Sequence, residues 1–187
     1  MPGDIYLALA KSKPGGLNFG SSGIGGSPHL CGELFNSMAG TRMTHVPYKG
    51  GAAATIDLIG GQIDMLCTGL TALSTSIKTG KVRALGMATP QRSTLMPHLP
   101  TISEQGLPGF VVSSWSTVMA PARTPEPIVR KLYEEIARIM NTEDMKGFVL
   151  STGSEAALMS PKEFAPYLKA DIAKWAKVAK AAKLQPE

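Results

Sequence analysis

The chain has only two cysteines and three histidines in 187 residues, aromatic side chains make up 6%, and no apolar run reaches the roughly 18 residues of a membrane span. These scarcities exclude a good deal. Cys31 and Cys67 stand outside any Cys-x-x-Cys and away from a spaced histidine pair, so no metal centre is expected. A disulfide between them stays open; the reading adopted is two buried or half-buried thiols. Nineteen Lys and Arg against fourteen Asp and Glu give a net charge of +5. Most of these charges are scattered, with no basic patch interleaved with aromatics, so no nucleic-acid partner is expected. No Gly-Lys-Ser/Thr occurs, the third glycine of a dinucleotide motif starting at Gly23 would fall on Pro28, and there is no Gly-x-Ser-x-Gly elbow, so neither a cofactor nor a catalytic residue is assigned. The start lacks a basic region followed by a hydrophobic segment; as given, the sequence carries no recognisable export signal.

What is abundant is glycine, and it concentrates where it matters. Leu17 to Leu30 reads as a strand that breaks into glycines and serines and then starts a helix. Ser27 is the expected N-cap and Pro28 the first helical residue, with Leu30, Leu34 and Met38 on the inward face. Gly20, Ser21, Ser22, Gly23, Gly25, Gly26 and Ser27 then offer amides and hydroxyls in front of the positive end of a helix dipole, which favours an anion such as a small carboxylate or lone phosphate. The bland alternative is a flexible connection with an ordinary cap.

In chain order, Asp4 to Lys13 is expected as a helix with Ile5 and Leu9 inward. Met43 to Val46 is a strand, Ala52 to Ile59 a helix, Gln62 to Cys67 a strand, Leu70 to Thr79 a helix and Val82 to Ala88 a strand. That alternation implies an α/β fold with a parallel sheet, and ligands of such sheets sit at the carboxyl ends of the strands. Phe110 to Met119 reads as a long strand that could cross between domains. Beyond Pro121 the chain is helical: Pro125 to Met140 with Ile128, Leu132, Ile136 and Met140 on one face, Thr142 to Ser151, and Pro161 to Ala182 with Phe164, Leu168, Ile172, Trp175 and Ala179 in a stripe. Lys169, Lys174, Lys177, Lys180 and Lys183 lie outside that stripe and read as a solvated face.

Among chemistry-bearing residues, Tyr48, Lys49 and Gly50 follow a strand and precede a helix, offering a phenol, an ammonium and bare amides to a carboxylate; the alternative is a surface turn. His29 either touches an anion or bonds local backbone. His45 reads as structural and His98 as exposed. Asp57 and Asp64 fall in different elements and read as structural.

Taken in order, LNFGSSGIGGSPHLCGEL from Leu17, HVPYKGGAAATIDLIGGQIDM from His45, KTGKVRALGMAT from Lys78, LPTISEQGLPGF and WSTVMAPARTPEPIV closely resemble the substrate-binding receptors of tripartite tricarboxylate transporters, the Bug proteins. The resemblance covers nearly the whole chain. It implies a type II periplasmic-binding-protein fold, two α/β lobes closing on a small organic acid that is then delivered to membrane subunits. On that pattern residues 1–118 are one complete ligand-binding α/β lobe, and 119–187 are C-terminal helices of a truncated second lobe whose N-terminal sheet is absent. The Gly20–Ser27 loop binds a carboxylate, Tyr48, Lys49, Gly50 and Thr68 line the same side, and Trp115 matches a family tryptophan. Where relatives often carry Phe-Asp-Asn, this chain has Cys67-Thr68-Gly69; losing the acid favours a plain di- or tricarboxylate, or an aromatic carboxylate, over an amino acid. The resemblance implies a periplasmic location, against cytoplasmic for the sequence as given. The apolar stripes at 125–182, left without a sheet to cover them, predict self-association or poor solubility unless the helices fold back on the other lobe. The rival reading is a small-molecule enzyme holding a phosphate or carboxylate substrate on the same loop.

Overall fold

In a computed structural model describing residues 2–184, with side chains from residue 6 on, contacts divide the chain into two compact units. The first holds the residues up to Ser114 together with those from Trp175 on; the second holds Trp115–Lys174.

The first unit is built on a three-stranded parallel sheet in the order β2-β1-β3, with β1 at Asn18–Ser21, β2 at Thr44–Pro47 and β3 at Met65–Leu66. β1 is central and its apolar face is the core: Phe19 is fully buried, pairs with His45 on one side and Met65 on the other, and packs among Leu17, Cys31, Leu34, Phe35, Met43 and Phe110. Parallel neighbours require crossovers. Helix α2 (Ser27–Ala39) connects β1 to β2, and α3 (Gly51–Ile59) connects β2 to β3. Gly40 ends α2 in the left-handed conformation, its amide returning to the Asn36 carbonyl, while the Asn36 amide group clips the chain entering β2 through Met43 and Thr41. Asn18 and Asp64 exchange two backbone-to-side-chain hydrogen bonds, tying the start of β1 to the lead-in of β3. α4 (Leu70–Lys78) follows β3.

Several expectations need correction. α1 spans Pro2–Ser12 and turns Ala10 inward, with Leu9 exposed; Ile5 lies outside the described side chains. In α2 the buried set is His29, Cys31, Gly32, Leu34, Phe35 and Ala39, and Met38 is exposed, so the inward face is turned from the Leu30-Leu34-Met38 line. Residues 82–88 do not form a strand. Their carbonyls are taken by the following turn and by the segment after it: Ile102 donates to Met87, Gln105 to Leu85 and Val112 to Ala88. A largely apolar cavity of about 380 Å³, lined by Leu66, Cys67, Leu85 and Met87 among others, is left beside β3. Phe110 to Met119 is irregular as well; only Phe110 is deeply buried, and Ser114 onward is exposed. Cys31 and Cys67 are joined in a disulfide, contrary to the thiol reading.

The second unit holds α5 (Glu126–Met140), α6 (Glu143–Ser151) and most of α7 (Pro161–Ala181). Thr142 caps α6 by accepting from the Met145 amide. On α7, Ile172 is exposed and Val178 buried in the first unit's core, so the inward line is shifted from the one expected.

Candidate functional site

Each parallel strand ends in a glycine-bearing loop that opens a helix, which brings the N-termini of α2, α3 and α4 to the carboxyl edge of one sheet. Their N-caps are Gly26, Gly50 and Gly69; none is capped by a side chain and none has an acid in its first turn. The helices after Pro121 differ: α5, α6 and α7 carry Glu126, Glu143 with Asp144, and Glu163 in their first turns. An acid near an N-terminus or a capping side chain satisfies amides that otherwise need a partner. Unlike α5, α6 and α7, the three helices opening off the sheet are left without one.

Within the first loop the observed cap is Gly26, one residue before the expected Ser27. Gly23 and Gly25 have φ of 142° and 76°, values a side chain strains to adopt. Their amides do not face out: Gly23 donates to the Ser21 hydroxyl and Gly25 to His29 Nδ1. The amides of Ser22, Ile24, Gly26, Ser27 and His29 make no hydrogen bond among the described residues. Ser22, Gly25 and Ser27 are exposed, and Gly23 and Gly26 half-buried.

Ser21 is fully buried. Its hydroxyl lies 2.9 Å from the Gly23 carbonyl and 2.6 Å from His45 Nε2; with its single proton given to the carbonyl, it accepts from a neutral His45 protonated at Nε2. The Ser21 side chain therefore shapes the loop and is not available to a ligand. His29 is 3% exposed and stacks face to face on His45 at 3.6 Å, which decides its case for local backbone bonding over direct anion contact. Burial lowers the pKa of His29 and, together with the neighbouring His29, pushes His45 down to about 4. Both rings are neutral at pH 7.

On the second loop the Tyr48 hydroxyl donates to Asp57 Oδ2 at 2.7 Å, so its proton is committed, and its pKa is raised by that bond. Lys49 is exposed, and Gly50, with φ 114°, caps α3. Thr68 is exposed on the third loop, next to disulfide-bonded Cys67. Gly20 contributes through the absence of a side chain: a Cβ there would run into the Ile63 side chain. Trp115 belongs to the second unit, where its indole donates to Asp171 and its ring packs edge-on against Phe164 and Tyr167. No group of three His, Cys, Asp or Glu side chains suited to a metal occurs among the described residues. The sequence pointed to both loops; it missed the His29–His45 pair, whose only trace is that a residue two places into a helix and a residue in the next strand are both histidine.

The family model for the tripartite tricarboxylate transporter family receptor matches residues 4–184. The chain belongs to this receptor family. BugT of Bordetella pertussis is 32% identical over 94% of the chain and 54% of its own length. The R. palustris Rpa4515 structure with adipate is 36% identical, with a TM-score of 0.80, over 97% of this chain and 61% of that one. MatC (Rpa3494) from Rhodopseudomonas palustris with bound malate is 30% identical, with a TM-score of 0.70, over 92% and 60%. The chain thus spans about half to three fifths of these relatives. The α/β receptor fold expected from the sequence is the fold found.

Proposed function

We propose that this chain acts as the carboxylate-holding part of an extracytoplasmic solute receptor for a tripartite tricarboxylate transporter, binding a small dicarboxylate without turning it over. The observation that supports this most is the set of three uncapped, acid-free helix N-termini at one sheet edge. Their amides provide positive partial charge and hydrogen-bond donors where a carboxylate needs them, and Lys49 adds a full charge. Two solved relatives hold adipate and malate, both dicarboxylates. The unit up to Ser114, with the residues from Trp175 on, serves as the carboxylate-holding α/β lobe, and the helices within Trp115–Lys174 as part of the other. The location is periplasmic and the transporter's membrane subunits are the downstream partners.

Thermal unfolding with adipate, malate and citrate, against the uncharged diamide of adipate, tests the reading. Ligand that binds only the folded state raises Tm with concentration. The carboxylates are expected to raise Tm and be recovered unchanged, and the diamide to do nothing. Affinity is expected to be about millimolar, because a few charge-assisted hydrogen bonds of about 1.5–3 kcal/mol each must offset the cost of association. No shift with any carboxylate, or consumption of a phosphate ester, overturns the proposal.

A further inference from the structure

The two glycines that bend the first loop are held from below by a pair of stacked imidazoles. Gly25 donates to His29 Nδ1 at 3.0 Å, and His29 stacks on His45 at a centroid distance of 3.6 Å and an interplanar angle of 11°. His45 in turn bonds Ser21, whose hydroxyl closes on both the amide and the carbonyl of Gly23. Phe19 stacks beneath His45 at 5.0 Å. The result is a continuous ladder from the centre of the sheet to the loop.

We propose that the His29–His45 stack is the positioning element of the carboxylate loop and that its protonation unseats the loop, so that ligand is held at neutral pH and released in acid. The inference rests on the reading of that loop as the carboxylate site. Chemically, only a bare Nδ1 can accept from the Gly25 amide. A proton on that nitrogen sets two donors against each other, and the amide must swing away. The proton meets resistance from the second ring, since charge on one imidazole sits against the face of the other. Among the described residues, Glu33 on α2 is the charged side chain within ion-pair distance of either ring, at 3.8 Å from His29 Nε2. Its carboxylate favours the protonated ring, and its own pKa is raised by burial. Ser21 from β1, His45 from β2 and the backbone of the loop complete the surroundings.

The test combines ligand-free and ligand-bound measurements on the full chain. In ¹⁵N-¹H spectra the Gly25 amide resonance is expected to hold its position above pH 6.5 and to move below it. His29→Asn, whose side-chain oxygen can take the Nδ1 position, is expected to remove that movement. Adipate binding by calorimetry should weaken below pH 6.5 in the wild type. His29→Leu should weaken it about fivefold at pH 8, the worth of one hydrogen bond. His29→Asn should restore most of that loss and leave binding flat across the same pH range. A Gly25 amide that ignores the histidine titration overturns the inference whatever adipate does. If that amide moves as expected while neither adipate nor malate binds at pH 8, the loop is positioned as described and it is the carboxylate reading that fails.

Discussion

A single missing side chain sets the position of the Phe19 ring. A Cβ on Gly32 would occupy the space of the Phe19 ring, and that ring is fully buried between α2 and the stacked histidines, with nowhere to retreat. Gly32→Ala therefore gains helix propensity yet overpacks the core. The net effect is expected to be destabilising by about 1–3 kcal/mol, read as a lower denaturant midpoint with an unchanged slope. The histidine pair adds a pH dependence of definite sign. Both folded pKa values lie below the ordinary 6.5, so the unfolded chain takes up protons first. Stability from this source is complete above pH 6.5 and is lost as pH falls from there toward the folded value of His45, about 4. Residue identities foretold little of this. Ser21, His29 and Tyr48 were legible as polar groups beside glycines. Whether each faced a ligand or a neighbour depended on partners such as His45 and Asp57, which only the register of β1 against β2 and the turn of α3 bring within reach.

At the scale of elements, local rules worked where strand, glycine and helix follow one another. β1–α2, β2–α3 and the start of α4 were readable because glycine breaks and apolar periodicity mark both ends of each unit. Val82–Ala88 and Phe110–Met119 were misread because a strand requires a partner as well as a propensity, and the hydrogen bonds of the first run go to Ser76 and to residues 100–112 instead of a neighbouring strand. The Cys31–Cys67 bond, linking α2 to the loop after β3, was likewise invisible in the spacing. The missing caps give an element-level prediction. Gly26 has φ −70° and ψ 164°, a conformation open to any residue, and a Cβ there meets nothing closer than 3.7 Å. Gly26→Asp thus supplies the absent cap, with the free His29 amide within the first turn to receive it. It is expected to stabilise the protein by about 1 kcal/mol, and to weaken dicarboxylate binding at least as far as the loss of the loop's contribution. Opposite shifts in denaturation midpoint and in adipate affinity would show that these amides are kept bare for a ligand. A parallel rise in both would show that the loop was merely poorly capped.

The second unit sets the behaviour of the molecule as a whole. α5, α6 and α7 were recognised in the sequence as helices, α5 and α7 with an apolar face, and the structure leaves Ile128, Leu132, Ile139, Phe148 and Ile172 between 45% and 62% exposed. None of α5 or α6 is buried. Which side of each helix would be covered was not legible, because periodicity marks an apolar face without saying what packs on it; Ile172, placed inward by the α7 stripe, turns out. Scattered exposed apolar residues are ordinary, but this many large side chains on three neighbouring elements of one small unit make a surface that water favours hiding. The hiding partner within reach in a pure sample is a second copy. Sedimentation velocity from low to high micromolar is therefore expected to show a weight-average coefficient rising with concentration. Ile128→Glu together with Ile172→Glu should flatten that rise while leaving adipate binding in place, since neither residue lies in the unit that carries the carboxylate loop. A single monomeric boundary for the wild type across the whole range would show that these faces stay in water, and the association argued from them would have to be abandoned.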